Sequence, residues 1–147
     1  MKKSSILASL LLFVTVSVFA ADVDKYMADL DPAKDEKIII TAADWMRDNK
    51  EDKAVSRLVA LLSDSRDMVR LHAVMALGYI GEEDALDAIH KVILNDTNAS
   101  VRYTAVLSVM RIGSDKSKAT LEQAKLQETD PVTKDLLEKL EKKSKEK

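Results

Sequence analysis

Apolar residues fall along this chain in stripes spaced for helices, and the stripes themselves recur. Val69, Ala73, Ala76, Leu77 and Ile80 follow the helical period on one face. Beyond a polar break, Ala85, Leu86, Ile89, Val92 and Ile93 do the same. Landmark positions then return every 32 residues: Leu30, Leu62, Leu94 and Leu126 keep that spacing, as do Asn49, Gly81 and Gly113. Val69 and Val101, Arg70 and Arg102, Ala73 and Ala105, and Ile80 and Ile112 are spaced identically. A fixed period of this size predicts stacked helical hairpins, each burying its apolar face only against its neighbours.

The clearest unit runs from Asp64 to Leu94. Asp64-Ser65-Arg66-Asp67 is a polar turn rich in capping groups. Gly81 ends the first helix where a left-handed residue is wanted, and Gly78 inside that helix allows a close neighbour. Glu82-Glu83-Asp84 puts negative charge at the start of a second helix. The next unit repeats the plan with Asp96-Thr97-Asn98, then Val101, Ala105, Val109 and Ile112, Gly113 as the stop, and Leu121, Ala124 and Leu126 on its second helix. Before these, Asp31-Pro32 is expected to open a helix that Asn49 terminates, with Val55, Leu58, Val59 and Leu62 following. At the far end Asp130-Pro131 starts a helix with Leu136, Leu137 and Leu140 inward. About seven full helices and one short one around Tyr26 to Leu30 are expected, with no strand. One unit cannot stand alone. A few buried aliphatic residues at about 1.5–3 kcal/mol each do not offset the ordering of some 30 residues at about 1–2 kcal/mol apiece.

Residues 1–20 read as a secretory leader: Lys2 and Lys3, then the uncharged run Ile6 to Phe19, then Val18-Phe19-Ala20. The run is short for a membrane span, so cleavage after Ala20 is expected, leaving residues 21–147 as one repeat domain that does not enter the membrane. Cysteine is absent, which removes disulfides, thiol nucleophiles and cysteine–zinc sites. The formal net charge of −2 becomes more acidic without the two leader lysines, which argues against nucleic acid as a partner. The lysines of the tail, Lys139, Lys142, Lys143, Lys145 and Lys147, alternate with acids and read as a solvated helix end.

The string Asp64, Val69-Arg70, Ala73, Ala76-Leu77, Ile80-Gly81 resembles the short HEAT repeat of the phycobilisome-lyase type, and Asp96, Val101-Arg102, Ala105, Ile112-Gly113 match it a second time in phase. The resemblance implies an all-α fold: a short α-solenoid of about three to four HEAT-like hairpins, in an exported bacterial member of the family. It also implies that Asp64, Arg70, Asp96 and Arg102 form a structural ladder in and between the turns. The ankyrin pattern fits less well, since His72 does not recur at Thr104, and the chain lacks the aromatics of tetratricopeptide repeats. The end units depart from the pattern, with Lys37-Ile38 and Thr133-Lys134 in place of Val-Arg, as capping repeats would. The lyase chemistry of some family members is not carried over.

Candidates for chemistry are few. His72 and His90 sit on different helices without the spacing of a zinc pair. The carboxylate clusters stand at helix starts, no glycine loop cradles phosphate, and no serine or lysine has an activating partner by motif. Trp45 falls in phase with core Leu77, and Tyr103 replaces Leu71. By family geometry the second helices line the inner face, where Ser56, Arg57, Asp87, His90, Lys91, Glu122 and Gln123 point outward as a candidate partner-binding surface. The reading is therefore a non-enzymatic protein-interaction module, an adaptor in the bacterial periplasm or secreted, with no cofactor and a protein or peptide partner. Its alternatives are an enzyme or enzyme accessory related to the lyase-type proteins, or a self-associating envelope protein.

Overall fold

A computed structural model describes residues 22–145; the expected leader lies outside the described residues. Helix α1 spans residues 22–29. It is followed by α2 (Glu36–Asn49), α3 (Val55–Leu61), α4 (Asp67–Ile80), α5 (Leu86–Asn95), α6 (Ala99–Ile112), α7 (Lys118–Gln127) and α8 (Pro131–Lys145). No strand occurs among the described residues. Short 3-10 turns at Asp52–Ala54, Glu83–Ala85 and Asp115–Ser117 lead into α3, α5 and α7.

The helices form two layers. In the first, α4 packs between α2 and α6, and α8 lies beside α6. In the second, α7 stacks on α5, while Arg57 of α3 reaches the Met27 carbonyl of α1 at 3.1 Å. Between layers, α3 packs on α4, α5 on α6 and α7 on α8. Tyr26 of α1 stacks on Trp45 of α2 with ring centroids 4.8 Å apart. The closest hairpins are thus α1–α2, α3–α4, α5–α6 and α7–α8, joined by the polar turns. The unit from Asp64 to Leu94 straddles two of them. Its glycine stop is followed by a 3-10 turn that carries the chain away from α4, so α5 closes instead on α6.

Two stripes of small and β-branched residues account for the tight first layer. Val69, Ala73, Val74, Ala76 and Leu77 of α4 are buried, as are Val101, Ala105, Val106 and Val109 of α6. At Gly78 the approach is closest: a Cβ there would lie 2.5 Å from Ser108 Oγ and 2.7 Å from Ser108 Cα. Ser108 is buried and its hydroxyl donates to the Val74 carbonyl at 2.9 Å, so a polar side chain bridges the helices without an unpaired group. Gly81 and Gly113 take positive φ values of 90° and 74° and end α4 and α6 as expected.

Several local expectations change. The left-handed residue closing α2 is Lys50, φ 49°, whose amide reaches the Arg47 and Met46 carbonyls; Asn49 is the last helical residue, its side chain bonded to the Trp45 carbonyl. Asp31-Pro32 forms a turn instead of a helix start, because Asp35 caps α2 through the Lys37 amide. Leu126 lies on α7 as expected but is 86% exposed, whereas its counterparts Leu30 and Leu62 are 3% and 7% exposed. Trp45 is half-buried under Tyr26 and is not a full core residue.

Candidate functional site: grooves floored by an arginine–carboxylate ladder

Two of the polar turns place a carboxylate where an arginine from the preceding hairpin clasps it. Arg70 Nε and Nη2 donate to Asp96 Oδ2 and Oδ1 at 2.7 and 3.0 Å, while Nη1 holds the Asp64 carbonyl at 2.8 Å. One unit later, Arg102 forks onto Glu128 at 2.8 and 2.7 Å and holds the Asp96 carbonyl at 2.8 Å. Two parallel bonds between planar groups fix both distance and orientation. The carboxylate in turn organises its own loop: Asp96 Oδ1 accepts the Asn98 amide, and Glu128 Oε1 accepts those of Thr129 and Asp130.

The expected ladder of Asp64, Arg70, Asp96 and Arg102 is therefore present, with two additions. Glu128 is the third carboxylate rung, in phase with Asp64 and Asp96. Its longer side chain hid it from a pattern built on aspartate. Asp64 has no arginine in the preceding hairpin, because Ile38 stands in phase with Arg70. Arg66 supplies the cation locally at 2.8 and 2.7 Å and ties back to the Lys34 and Pro32 carbonyls. These bonds shift the groups as ion pairing requires. The hydrogen bonds from Arg66 and Arg102 hold Asp64 and Glu128 below the ordinary carboxylate range, against the opposing effect of burial. Arg70 and Arg102 are raised by their bonds to Asp96 and Glu128.

Two open grooves lie above these rungs. One runs between α3 and α5, with Val59, Leu62 and Ala88 on its walls, Arg70 and Asp96 at its floor, and Lys91 and Asn95 at its rim. The other, between α5 and α7, is floored by Arg102 and Glu128. Because the floor carboxylates are fully engaged by guanidinium groups, they are not available as general bases or ligands; the rim side chains are what a bound chain would meet.

The expected binding residues share this layer. Ser56, Asp87, Lys91, Glu122 and Gln123 are exposed on α3, α5 and α7. Arg57 is exposed but spends a donor on the Met27 carbonyl. His90 sits deeper than these. It is half-buried, and its Nε2 lies 2.9 Å from the hydroxyl of buried Ser117. Burial pushes the imidazole below its ordinary value, opposed by the charge of Asp87. A serine with a histidine partner thus exists where the motifs show none, since the two residues come from different hairpins. Its hydroxyl is sealed, and the pair ties α5 to the start of α7.

His72 and Tyr79 belong to the opposite layer. Asp44 Oδ1 lies 2.8 Å from both His72 Nδ1 and Arg47 Nη1. The Tyr79 ring carries Arg111 at 3.7 Å and Arg47 at 5.9 Å. Among the described residues no group of three His, Cys, Asp or Glu is placed to hold a metal ion.

Two layers of helical hairpins joined by a register-keeping ladder define an α-solenoid. The family model for HEAT repeats matches residues 26–89 and 55–141, and the chain belongs to that family. Deoxyhypusine hydroxylase of Saccharomyces cerevisiae is 37% identical over 79 residues, 51% of this chain and 24% of the relative. That of Candida glabrata is 37% identical over 76 residues, 49% of this chain and 24% of the relative. The chain thus spans about a quarter of the length of these curated relatives.

They correct two expectations. Both relatives are named for an enzyme, which overturns the reading of a non-enzymatic adaptor. That reading leaned on the lack of a local catalytic motif, and a solenoid can assemble a site from helices far apart in sequence. Both are yeast enzymes named for hydroxylation of deoxyhypusine, which overturns the periplasmic or secreted location as well.

Proposed function

We propose that this chain serves as an enzyme or enzyme accessory of the deoxyhypusine hydroxylase kind, with the α3–α5–α7 layer holding the protein segment whose side chain is modified. The observation that carries this reading is the 37% identity with that enzyme over half of the chain. The local chemistry agrees with it. Deoxyhypusine is a lysine extended by an aminobutyl group, hence cationic at neutral pH, and Asp87 and Glu122 stand exposed along the layer. A protein partner that bears the modified lysine suits open grooves with mixed polar rims better than a small molecule does. The part taken by this chain is to hold and orient that segment.

The test is direct. A deoxyhypusine-bearing protein is incubated with the purified chain, alone and together with a full-length deoxyhypusine hydroxylase, and its mass is followed. A gain of one oxygen atom produced or accelerated by the chain supports the reading. No gain alone, and no change in the rate of the full enzyme, removes it. Asp87→Lys with Glu122→Lys should abolish the effect while leaving the helical circular dichroism intact.

A further inference from the structure

We infer that copies of this chain stack head to tail, the α7–α8 hairpin of one docking on the α1–α2 hairpin of the next through a Lys134–Asp31 rung. The ladder carries the argument. Four turns present a carboxylate that accepts the amide two residues on: Asp31 from Ala33 at 2.9 Å, Asp64 from Arg66 at 2.9 Å, Asp96 from Asn98 at 2.9 Å and Glu128 from Asp130 at 2.8 Å. The last three also hold an arginine. Asp31 makes the same bond to the amide two residues on, although it stands five positions before its helix where the other three stand three before theirs, and it meets no cation among the described residues. At the other end Lys134 stands 32 positions beyond Arg102, exposed, and meets no carboxylate among the described residues. One end has a rung without its cation, the other a cation without its rung.

Apolar surface follows the same logic. Within the chain, Leu94 near the end of α5 is flanked by the next hairpin, where Gln127 donates to its carbonyl at 2.7 Å. Leu126, 86% exposed, has no such cover among the described residues, and Val132 across the turn is 62% exposed. A cleft between α7 and α8 is lined by Leu121, Leu137 and Leu140. The head offers the half-buried Tyr26–Trp45 stack.

Layer order permits the join. The head hairpin begins in the second layer with α1, and the tail hairpin finishes in the first with α8. In a following copy, α1 takes beside α7 the place that α7 takes beside α5, and α2 takes beside α8 the place that α8 takes beside α6. The contact is heterologous, so it extends into rings or filaments and does not close as a symmetric pair.

Sedimentation velocity of the full chain over a wide concentration range tests this, with Lys134→Glu and Asp31→Asn variants. Asparagine keeps the acceptor oxygen the turn uses and drops the charge. The wild-type mass should climb past that of a dimer as concentration rises, and each variant should stay monomeric. An equal mixture of the two variants keeps one sound head and one sound tail, and should stop at the dimer. Leu126→Glu should also remain monomeric with an unchanged melting temperature. If Asp31→Asn fails to fold, the Lys134 and Leu126 variants, which break no internal bond, carry the test. A wild-type chain that is monomeric at every concentration, assembly that survives Lys134→Glu, or a mixture that grows beyond the dimer overturns the proposal.

Discussion

Replacing Gly78 with alanine sets two well-measured effects against each other. Alanine in a helix interior is better than glycine by about 1 kcal/mol, so on propensity alone the change stabilises α4. Packing opposes it. The new methyl would sit 2.6 Å from Ser108 Cβ and 2.7 Å from Ser108 Cα, and the second of these is backbone that no rotamer can move. Ordinary carbon–carbon separations lie at about 3.5–4.0 Å, so α6 must retreat by roughly 1 Å. Overpacking of this kind costs about 1–3 kcal/mol. The shift also strains the buried Ser108–Val74 hydrogen bond, whose loss adds about 1–3 kcal/mol. The expected net result is a destabilisation of about 2 kcal/mol, read as a lower midpoint in urea with an unchanged slope. Ser108→Ala in the same chain should not rescue it, because the new methyl still collides with the Cβ and the backbone at position 108, whereas Ser108→Gly should recover part of the loss. Gly81→Ala is the control: nothing lies within 4 Å of the added atom, and only the φ of 90° resists it, at about 1 kcal/mol. A Gly78→Ala protein as stable as wild type would refute the claim that the α4–α6 approach requires a missing side chain.

Arg70→Met should destabilise by about 3 kcal/mol in chemical denaturation, since it strands the nearly buried Asp96 carboxylate, and Asp96→Asn added to it should recover part of that. Acid should weaken the fold in two stages. His90 is depressed when folded, so its contribution is present above the ordinary imidazole value of 6.5 and is lost as pH falls through the folded one. Glu128 and Asp64, also depressed, hold their contribution above the ordinary values of 4.5 and 3.8 and release it only below them. Melting temperatures across this range should show both stages, and His90→Gln, which can still bond Ser117, should remove the upper one. A peptide of residues 64–94 should show no cooperative thermal transition by circular dichroism, because α4 and α5 belong to different hairpins.

Periodicity made the architecture legible because the same packing problem is solved once per unit. The stripes of α4, α5 and α6 and the glycine stops could be read from residue types at fixed spacing, and the ladder roles of Asp64, Arg70, Asp96 and Arg102 from the resemblance to HEAT repeats. What stayed hidden depends on contacts between units. Glu128 acts as a rung although its type differs from that of Asp64 and Asp96, since one extra methylene still reaches Arg102. The hairpin boundaries were displaced because a glycine stop marks where a helix ends and not which neighbour the next helix will choose. Ser117 and His90 are 27 residues apart and off the repeat period, so no pattern joins them. The surface layer was visible as a set of outward positions, but neither charge nor spacing along α3, α5 and α7 spelled out an enzymatic relation.

The clasp from Arg70 to Asp96 joins a turn only to the turn that follows, and nothing in it measures the total length of the chain. Duplication of one whole period between two such clasps would reproduce every bond at the new junction, whereas gain or loss of a single residue would misalign guanidinium and carboxylate together. Growth of a gene encoding this kind of scaffold is thereby quantised, and relatives of very different size can preserve the same local chemistry.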